Sequence, residues 1–442
     1  MTQILICTVG GSHQPIVSAI NDMRPDYVVF VCTDKDPATG QPGSVIQIQG
    51  KGNCIKAQPK DDKPSLPNIP TQTGLADNQH DVVLTLSDHL DRIYLDCVAA
   101  IDDVGQRFPG ARIVADYTGG TKSMSAGLTM AAVERPDIEL QLVTGSRADL
   151  LKVRDGSQFA DQADCERIRY QRLTDPYRRA WNRYAYSEAV AGLADFRPPK
   201  GMRDHYARFR DLSRAFAEWD NFNHRQALSI LQPYAPKLPD AMKTHIGIAL
   251  RLNDDDPAKR DAARLFDLYR NAERRATQGR YDDAVARIYR LIEWSAQWLL
   301  QTQAGIDTSN VAPEQIPDGL TLTQHRDGPW QAGLFNAWQL VKHKTDGAAA
   351  RFIAEQENTL LNHLKTRNGS ILAHGFAPID ALAWQPMHTW LEQQFLPMLL
   401  QETASVGIKA LPPQLPQTDS EAGVTTPHTP AQPDTQIQGK RQ

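Results

Sequence analysis

The apolar residues of this chain change period once, and that change divides it in two. Up to residue 155, short apolar or alternating runs take turns with segments of helical spacing; beyond about Gly156 the strand signal disappears. The expected strands cover residues 4–9, 27–32, 82–86, 112–115 and 139–143. Between the third and fourth, Leu90, Ile93, Tyr94, Cys97, Ile101 and Val104 repeat at the spacing of a helix over 89–107. Another helix follows Gly120 through Met124, Leu128 and Ala131 until Pro136 stops it. Strands alternating with helices imply a mostly parallel sheet covered on both faces, a Rossmann-like domain. Residues 34–78 break the pattern and read as an insertion with one short hairpin around 45–49.

The remainder reads as all-α. Residues 161–300 are helical and rich in Arg and Ala, and a second helical block runs over 281–400 with a polar loop at 302–328. Two segments, 215–231 and 276–292, look alike: each has a small residue, a turn, an aromatic, then Ala on the next helix. Two copies do not make an array, so they are read as helix hairpins. Beyond 404 the chain turns Pro-, Thr- and Gln-rich without apolar periodicity, and a disordered tail is expected over 404–442.

The formal charge of −4 excludes a protein that coats nucleic acid through bulk positive charge; any RNA contact must be local, made by a few cations in a groove. The cysteines Cys7, Cys32, Cys54, Cys97 and Cys165 are scattered, with no pair at metal-ligand spacing, and Cys7 and Cys32 sit in apolar strands where buried thiols are ordinary. Such a set fits a reducing compartment. With no leader pattern after Met1 and no apolar run near the roughly 18 residues of a membrane span, the protein is expected to be cytoplasmic.

Two loops at strand C-terminal ends stand immediately before helices, where open α/β sheets bind ligands. One contains Gly10, Gly11, Ser12 and His13; the other runs from Asp116 through Thr118, Gly119, Gly120, Thr121 and Lys122. Paired glycines admit close approach of an anion, the following helix N-terminus offers N–H groups to phosphate, and Lys122 adds a mobile cation. A P-loop is excluded because Thr121 precedes Lys122 and Asp116 stands five positions before Thr121. The first loop lacks the dinucleotide G-x-G-x-x-G. The glycines could also simply make tight turns. The stretch from Asp116 to Lys122, with Ser123 and the small-residue helix through Ala126 and Gly127, resembles the signature loop of CARF domains, the Rossmann-like sensors of CRISPR-associated proteins. The resemblance covers about the first third of the chain. It implies that paired sensors bind a cyclic oligoadenylate across a two-fold axis through Gly10, Gly11, Ser12, Thr118, Gly119, Gly120, Thr121 and Lys122. His13 either faces that ligand or caps the following helix.

Near the other end stand Arg367, Asn368 and, seven positions after the Arg, His374. Cutting RNA without a metal requires moving protons at neutral pH, which a His can do, and holding a phosphate as its charge grows, which an Arg fork can do. Spacing alone is weak, since an Arg–His pair so separated arises about once by chance in a chain of this composition. The context adds to it: Asn follows the Arg, an apolar helix leads in, and Gly375 and Pro378 follow. The segment resembles the R-N-x-x-x-x-x-H motif of HEPN ribonucleases, and the pairing of domains resembles the CARF–HEPN accessory effectors of type III CRISPR systems. The resemblance implies a cyclic tetra- or hexa-adenylate-activated endoribonuclease for single-stranded RNA. It would be a homodimer with a composite site of Arg367, Asn368 and His374 from both chains, needing no metal or catalytic cofactor and leaving 2′,3′-cyclic phosphate ends. The expected organisation is a sensor over 1–156, a helical linker over 157–272, a HEPN domain over 273–403 and the tail. Arg290 and Glu293, three apart on one helix, either support the site or form a structural ion pair.

Three other readings stand beside this one. A ligand-responsive transcription regulator would need a basic recognition helix, for which the Arg-rich stretches at 167–172 and 178–183 are the candidates. A metal-dependent nuclease finds only a partial motif at 136–142, lacking its Lys. The sensor could also cleave its own ligand with Ser12, His13 or Lys122.

Overall fold

The side chains of Ile4, Leu5, Ile6 and Cys7 are all buried. A strand with no polar face must be covered on both sides. In the computed structural model of the chain, β1 (Gln3–Thr8) accordingly lies in the middle of a six-stranded sheet of order β3–β2–β1–β4–β5–β6. The other strands are β2 (Tyr27–Thr33), β3 (His80–Thr85), β4 (Arg112–Asp116), β5 (Ile138–Thr144) and β6 (Phe159–Gln162); β1 to β5 run parallel and β6 antiparallel to β5. The helices of this part are α1 (Gln14–Met23), the single turns α2 (Ile46–Gln49) and α3 (Ile69–Thr73), α4 (Leu90–Arg107) and α5 (Lys122–Val133). Alternation splits β1 between two cores. Ile4 and Ile6 pack with Ile93, Cys97, Met124 and Leu128 of α4 and α5, while Leu5 and Cys7 pack with Ile16 and Ile20 of α1. All five cysteines are free, and burial pushes the Cys32 and Cys97 thiols up to about 12.

The structure describes residues 1–35, 40, 42–55, 65–144, 159–324, 328–372 and 375–424. Among them no helix is long and apolar enough to cross a membrane. The chain divides into two compact units, Met1–Leu173 and Thr174–Gln442, with the division inside α6 (Glu166–Trp181).

Two expectations about the first unit need correction. Around 45–49 the chain forms the helical turn α2 and no hairpin. Its alternating Ile and Gln residues read as a strand, yet no strand edge takes its carbonyls; the Asn68 side chain donates to Ile48 O (2.9 Å) and Gly50 O (2.7 Å) instead. The strand signal does not end at 156 either, since β6 closes the sheet at 159–162. Its Phe159, Asp161 and Gln162 are exposed, so an edge strand with no buried face carries no apolar alternation to read.

The second unit continues with α7 (Tyr186–Leu193), α8 (Arg203–Asp220), α9 (His224–Leu231), α10 (Asp240–Arg251), α11 (Pro257–Thr277) and α12 (Tyr281–Leu299). A short antiparallel pair, β7 (Thr323–Gln324) and β8 (Trp330–Gln331), precedes α13 (Leu334–Lys344), α14 (Ala348–Asn368), α15 (Ala381–Trp390) and α16 (Leu396–Thr403). The two look-alike segments are the turns of the α8–α9 and α11–α12 hairpins, and buried charges tie the hairpins together. Asp220 accepts from Asn271 Nδ2 (2.9 Å), Arg274 Nε (2.7 Å) and Arg275 Nη2 (2.5 Å), and Asp267 accepts from Trp219 Nε1 and His224 Nε2, both at 2.8 Å. The Arg-rich stretches are likewise engaged: Arg172 with Glu134, Arg179 with Asp175, Arg183 with Glu188 and Arg178 with Asp419.

The expected disordered tail is a further correction as far as Val424. Residues 407–424 lie across the helical unit as a strap: Gln414 accepts from Arg274 Nη1 (2.6 Å) and donates to Arg270 O (3.0 Å), the Tyr186 hydroxyl donates to Pro416 O (2.6 Å), and Leu415, Ala422 and Val424 are buried. The strap is held by single apolar anchors and side-chain bonds to its backbone, which leave no period in the sequence. Residues 425–442 lie outside the described residues.

Cutting one member out of a buried ion cluster strands the others, at a cost of about 3–5 kcal/mol. Asp220→Ala is therefore expected to lower the unfolding free energy by that amount in urea melts, whereas substitution of the exposed Asp240, paired with Lys243, is expected to change it little.

Candidate functional site

Chain direction reverses about β1: the path from β1 through α1 leads to β2 on one side, while α4 carries the chain from β3 to β4 on the other. The loops after β1 and β4 therefore meet at a topological switch point, where such sheets bind ligands. The structure brings the two glycine loops together backbone on backbone. A Cβ on Gly119 would lie 2.1 Å from Thr8 O, and one on Gly10 would lie 2.6 Å from Gly120 N. Gly120 has φ +81°, a left-handed backbone that disfavours side chains. The Gly119 carbonyl accepts from the hydroxyls of Thr8 (2.7 Å) and Ser125 (2.9 Å).

The other predicted ligand residues fall around this seam. Thr121 caps α5, accepting from Met124 N at 3.2 Å, and Lys122 is exposed in its first turn. Thr118 has its hydroxyl committed as acceptor from Val143 N (2.6 Å). Gly11 and Ser12 are exposed. His13 occupies the N-cap position of α1 and is buried, but its side chain makes no capping hydrogen bond; its carbonyl accepts from Ile16 and Val17. Below the loop, Asp116 is buried, which pushes its carboxyl up against the opposing effect of hydrogen bonds from Thr118 N (2.9 Å) and Gln141 Nε2 (3.0 Å). Sequence reasoning missed Gln47 of α2, whose amide donates to Gly10 O while its Oε1 is buried with no hydrogen-bond partner among the described residues. Nothing in the pattern of the insertion marks it.

In the helical unit, Arg367 lies in the last turn of α14, and its guanidinium stacks on Tyr289 of α12 with Cζ 4.3 Å from the ring centroid. Nη1 donates to Asn368 Oδ1 at 3.3 Å, and Nε is buried with no partner among the described residues. Tyr289 was invisible to motif reading because it sits at ordinary helical spacing. Beyond Asn368 the chain folds back on itself: Gly375 N donates to Ser370 O (3.2 Å) and Ala377 N to Gly369 O (3.1 Å). A Cβ on Gly375 would stand 2.0 Å from Gly369 O, so this return requires glycine. His374 lies outside the described residues, although Leu372 and Gly375 on either side of it are described. Arg290 pairs with Glu293 at 2.8 Å and lies over Trp294. The partial metal-nuclease motif is spent on the sheet, where Glu139 pairs with Arg112 at 2.7 Å.

One group among the described residues has the makings of a metal site: Glu273, His388 and Glu392. Its geometry favours a clamped imidazolium instead. His388 Nε2 faces Glu273 Oε1 (3.5 Å) and Nδ1 faces Glu392 Oε2 (3.6 Å), so opposite ring edges meet opposite carboxylates. Glu273 is also held by Arg270 at 2.7 Å.

Family models match adjacent parts of the helical unit: the Csm6 6H domain over residues 175–249 and the Csm6 HEPN domain over residues 255–395. The helical unit thus carries the 6H and HEPN domains of the Csm6 family of CRISPR accessory effectors. The fold is similar to that of Enterococcus italicus Csm6 bound to cyclic hexa-2′-fluoro-hexa-dAMP, with a TM-score of 0.54 at 13% identity, covering 92% of this chain and 95% of that one. A second similar structure, Can2 from Sulfobacillus thermosulfidooxidans in complex with cyclic tetra-adenylate, is 14% identical over 69% of each chain; its TM-score of 0.20 is too low to bear on the fold. No curated protein matches the chain in sequence. In this effector the HEPN match begins at residue 255, so it takes in α11 as well as α12.

The carboxylate of Glu273, and then that of Glu392, hold the His388 imidazolium above its ordinary value of 6.5 against the opposing effect of burial. A raised folded value means that this clamp contributes fully below the unfolded pKa and is lost as pH rises through the folded one. The stability difference between the effector and its His388→Gln variant is expected to be largest near about pH 6 and to shrink toward about pH 9 in urea titrations. A difference constant over that range would show that the clamp carries no charge.

Proposed function

We propose that the chain is a metal-independent endoribonuclease for single-stranded RNA, acting in the cytoplasm as a homodimer and switched on by cyclic tetra- or hexa-adenylate. The observation that carries this reading is the position of Arg367: inside the HEPN match, at a helix end, with its guanidinium held against Tyr289. The paired Arg367 groups of two chains hold the scissile phosphate and offset its charge as it becomes pentavalent. Asn368 keeps the guanidinium oriented, as its 3.3 Å contact supports. His374 takes the proton from the 2′-OH or delivers one to the departing 5′-oxygen. The attacking 2′-oxygen bonds to phosphorus as the P–O5′ bond breaks, leaving a 2′,3′-cyclic phosphate and a 5′-hydroxyl.

The crevice formed by Gly10, Gly11, Ser12, His13, Thr118, Gly119, Gly120, Thr121 and Lys122 takes the cyclic ligand. Close glycine packing, the α5 N-terminus and exposed Lys122 suit its phosphates, and the cyclic nucleotide bound by the E. italicus protein supports that ligand class. Ligand binding controls cleavage by favouring the arrangement in which both HEPN motifs engage.

The test is cleavage of a fluorescent single-stranded RNA in EDTA, with and without each cyclic ligand. Cleavage is expected only with ligand, to yield cyclic phosphate ends, and to fall by about 10²–10³-fold in Arg367→Ala. Cleavage that EDTA abolishes would remove the metal-free chemistry, and full activity in Arg367→Ala would remove the assigned site.

A further inference from the structure

The turns of the two look-alike hairpins differ at one position. Both need a left-handed residue before the second helix. The α11–α12 turn uses Gly279 (φ +72°), whereas the α8–α9 turn places Phe222 there at φ +64°. A bulky side chain in that region is strained, and strain of this kind is retained where the side chain has work to do.

Phe222 stands between two recesses. On one side is a polar cavity of about 410 Å³ whose walls include Arg225, Arg260 and Arg264. Arg225 is exposed and has no acidic partner among the described residues. Arg260 is paired with its neighbour Asp261 at 3.2 Å, and Arg264 gives Nε to Leu252 O (3.0 Å). The guanidiniums are crowded enough that burial and then the Arg260 charge depress the Arg264 pKa. His224 also lines the cavity, with Nδ1 buried and unpartnered among the described residues. Asp254 and Asp255 also line it, which leaves the three arginines in excess; Asp254 accepts from the backbone N–H of Asp256 (2.9 Å). On the other side of Phe222 is a shallow, mostly apolar recess of about 370 Å³ that reaches Arg290 and Trp294.

Cations interleaved with half-buried aromatic rings, here Phe222 beside His224 and Trp294 beneath Arg290, fit single-strand nucleic-acid binding, in which phosphates meet arginines and bases stack on rings. We propose that this surface is a substrate track for single-stranded RNA outside the cleavage site. Arg225, Arg260 and Arg264 take backbone phosphates, and Phe222 and Trp294 take bases. This rests on the ribonuclease reading and extends it. The recess shares a helix with that site: Trp294 lies on α12 with Tyr289, the residue beneath Arg367, about 7.5 Å away along the helix axis. It also answers the charge problem of an acidic chain, since the cations are local.

The test is fluorescence anisotropy with the full chain and a labelled 20-nucleotide single-stranded RNA carrying 2′-O-methyl groups throughout, which cannot be cut. Phe222→Gly, which installs the residue of the sister turn, is expected to weaken binding about tenfold while melting remains cooperative. Arg225→Ala/Arg260→Ala is expected to reduce the slope of log affinity against log salt by about 1.4. Wild-type affinity and salt slope in both variants would overturn the track, as would no binding by the wild type. Cleavage of unmodified RNA is followed in parallel. Track-dependent binding without cleavage under any ligand would sink the ribonuclease reading alone, and cleavage with binding indifferent to both variants would sink the track alone.

Discussion

Backbone packed directly on backbone, with glycine as the only residue that fits, underlies both candidate sites. At the switch point of the sheet, Gly10 meets Gly120 and Gly119 meets Thr8 O; beyond α14, Gly375 meets Gly369 O. Each contact brings two chain segments closer than any Cβ allows. In the first unit this seam lies beside exposed Gly11, Ser12 and Lys122. In the helical unit it turns the chain back on Gly369 and Ser370 soon after Asn368. The surrounding elements serve these contacts: a β1 buried on both faces fixes one side of the seam, and α12 fixes Arg367 through Tyr289.

The helical unit depends on a different economy. Asp220, Asp267, Arg274 and Arg275 are buried and paired with one another, so the α8–α9 and α11–α12 hairpins lock in one register. Arg274 is also the residue that the strap reaches through Gln414. The 6H and HEPN regions are therefore joined by a charge cluster and by the strap that crosses both.

What could be read from the sequence follows from what leaves a period. β1, β2 and β4 were legible because buried strands are continuous apolar runs, and the two loops that meet at the switch point because each carries a glycine pair at a strand end. β6 was not legible, since an exposed edge strand needs only backbone partners. Nor was α2, where Ile46, Gln47 and Ile48 alternate like a strand yet make one helical turn. The strap escaped because Leu415, Ala422 and Val424 are isolated anchors in a Pro- and Thr-rich stretch. Arg367 and Asn368 were legible as a motif, but Tyr289 was not, because a partner from another helix leaves no local signature.

Control of the chain by a ligand requires the two glycine loops to be the receptor for a cyclic nucleotide. Calorimetric titration of the full chain with cyclic tetra- and hexa-adenylate, beside a Lys122→Ala variant, tests this most directly. One ring is expected to bind per two chains, with affinity reduced at least about tenfold when the exposed lysine is removed. Undiminished binding in Lys122→Ala, or no binding of either ring by the wild type, would contradict it.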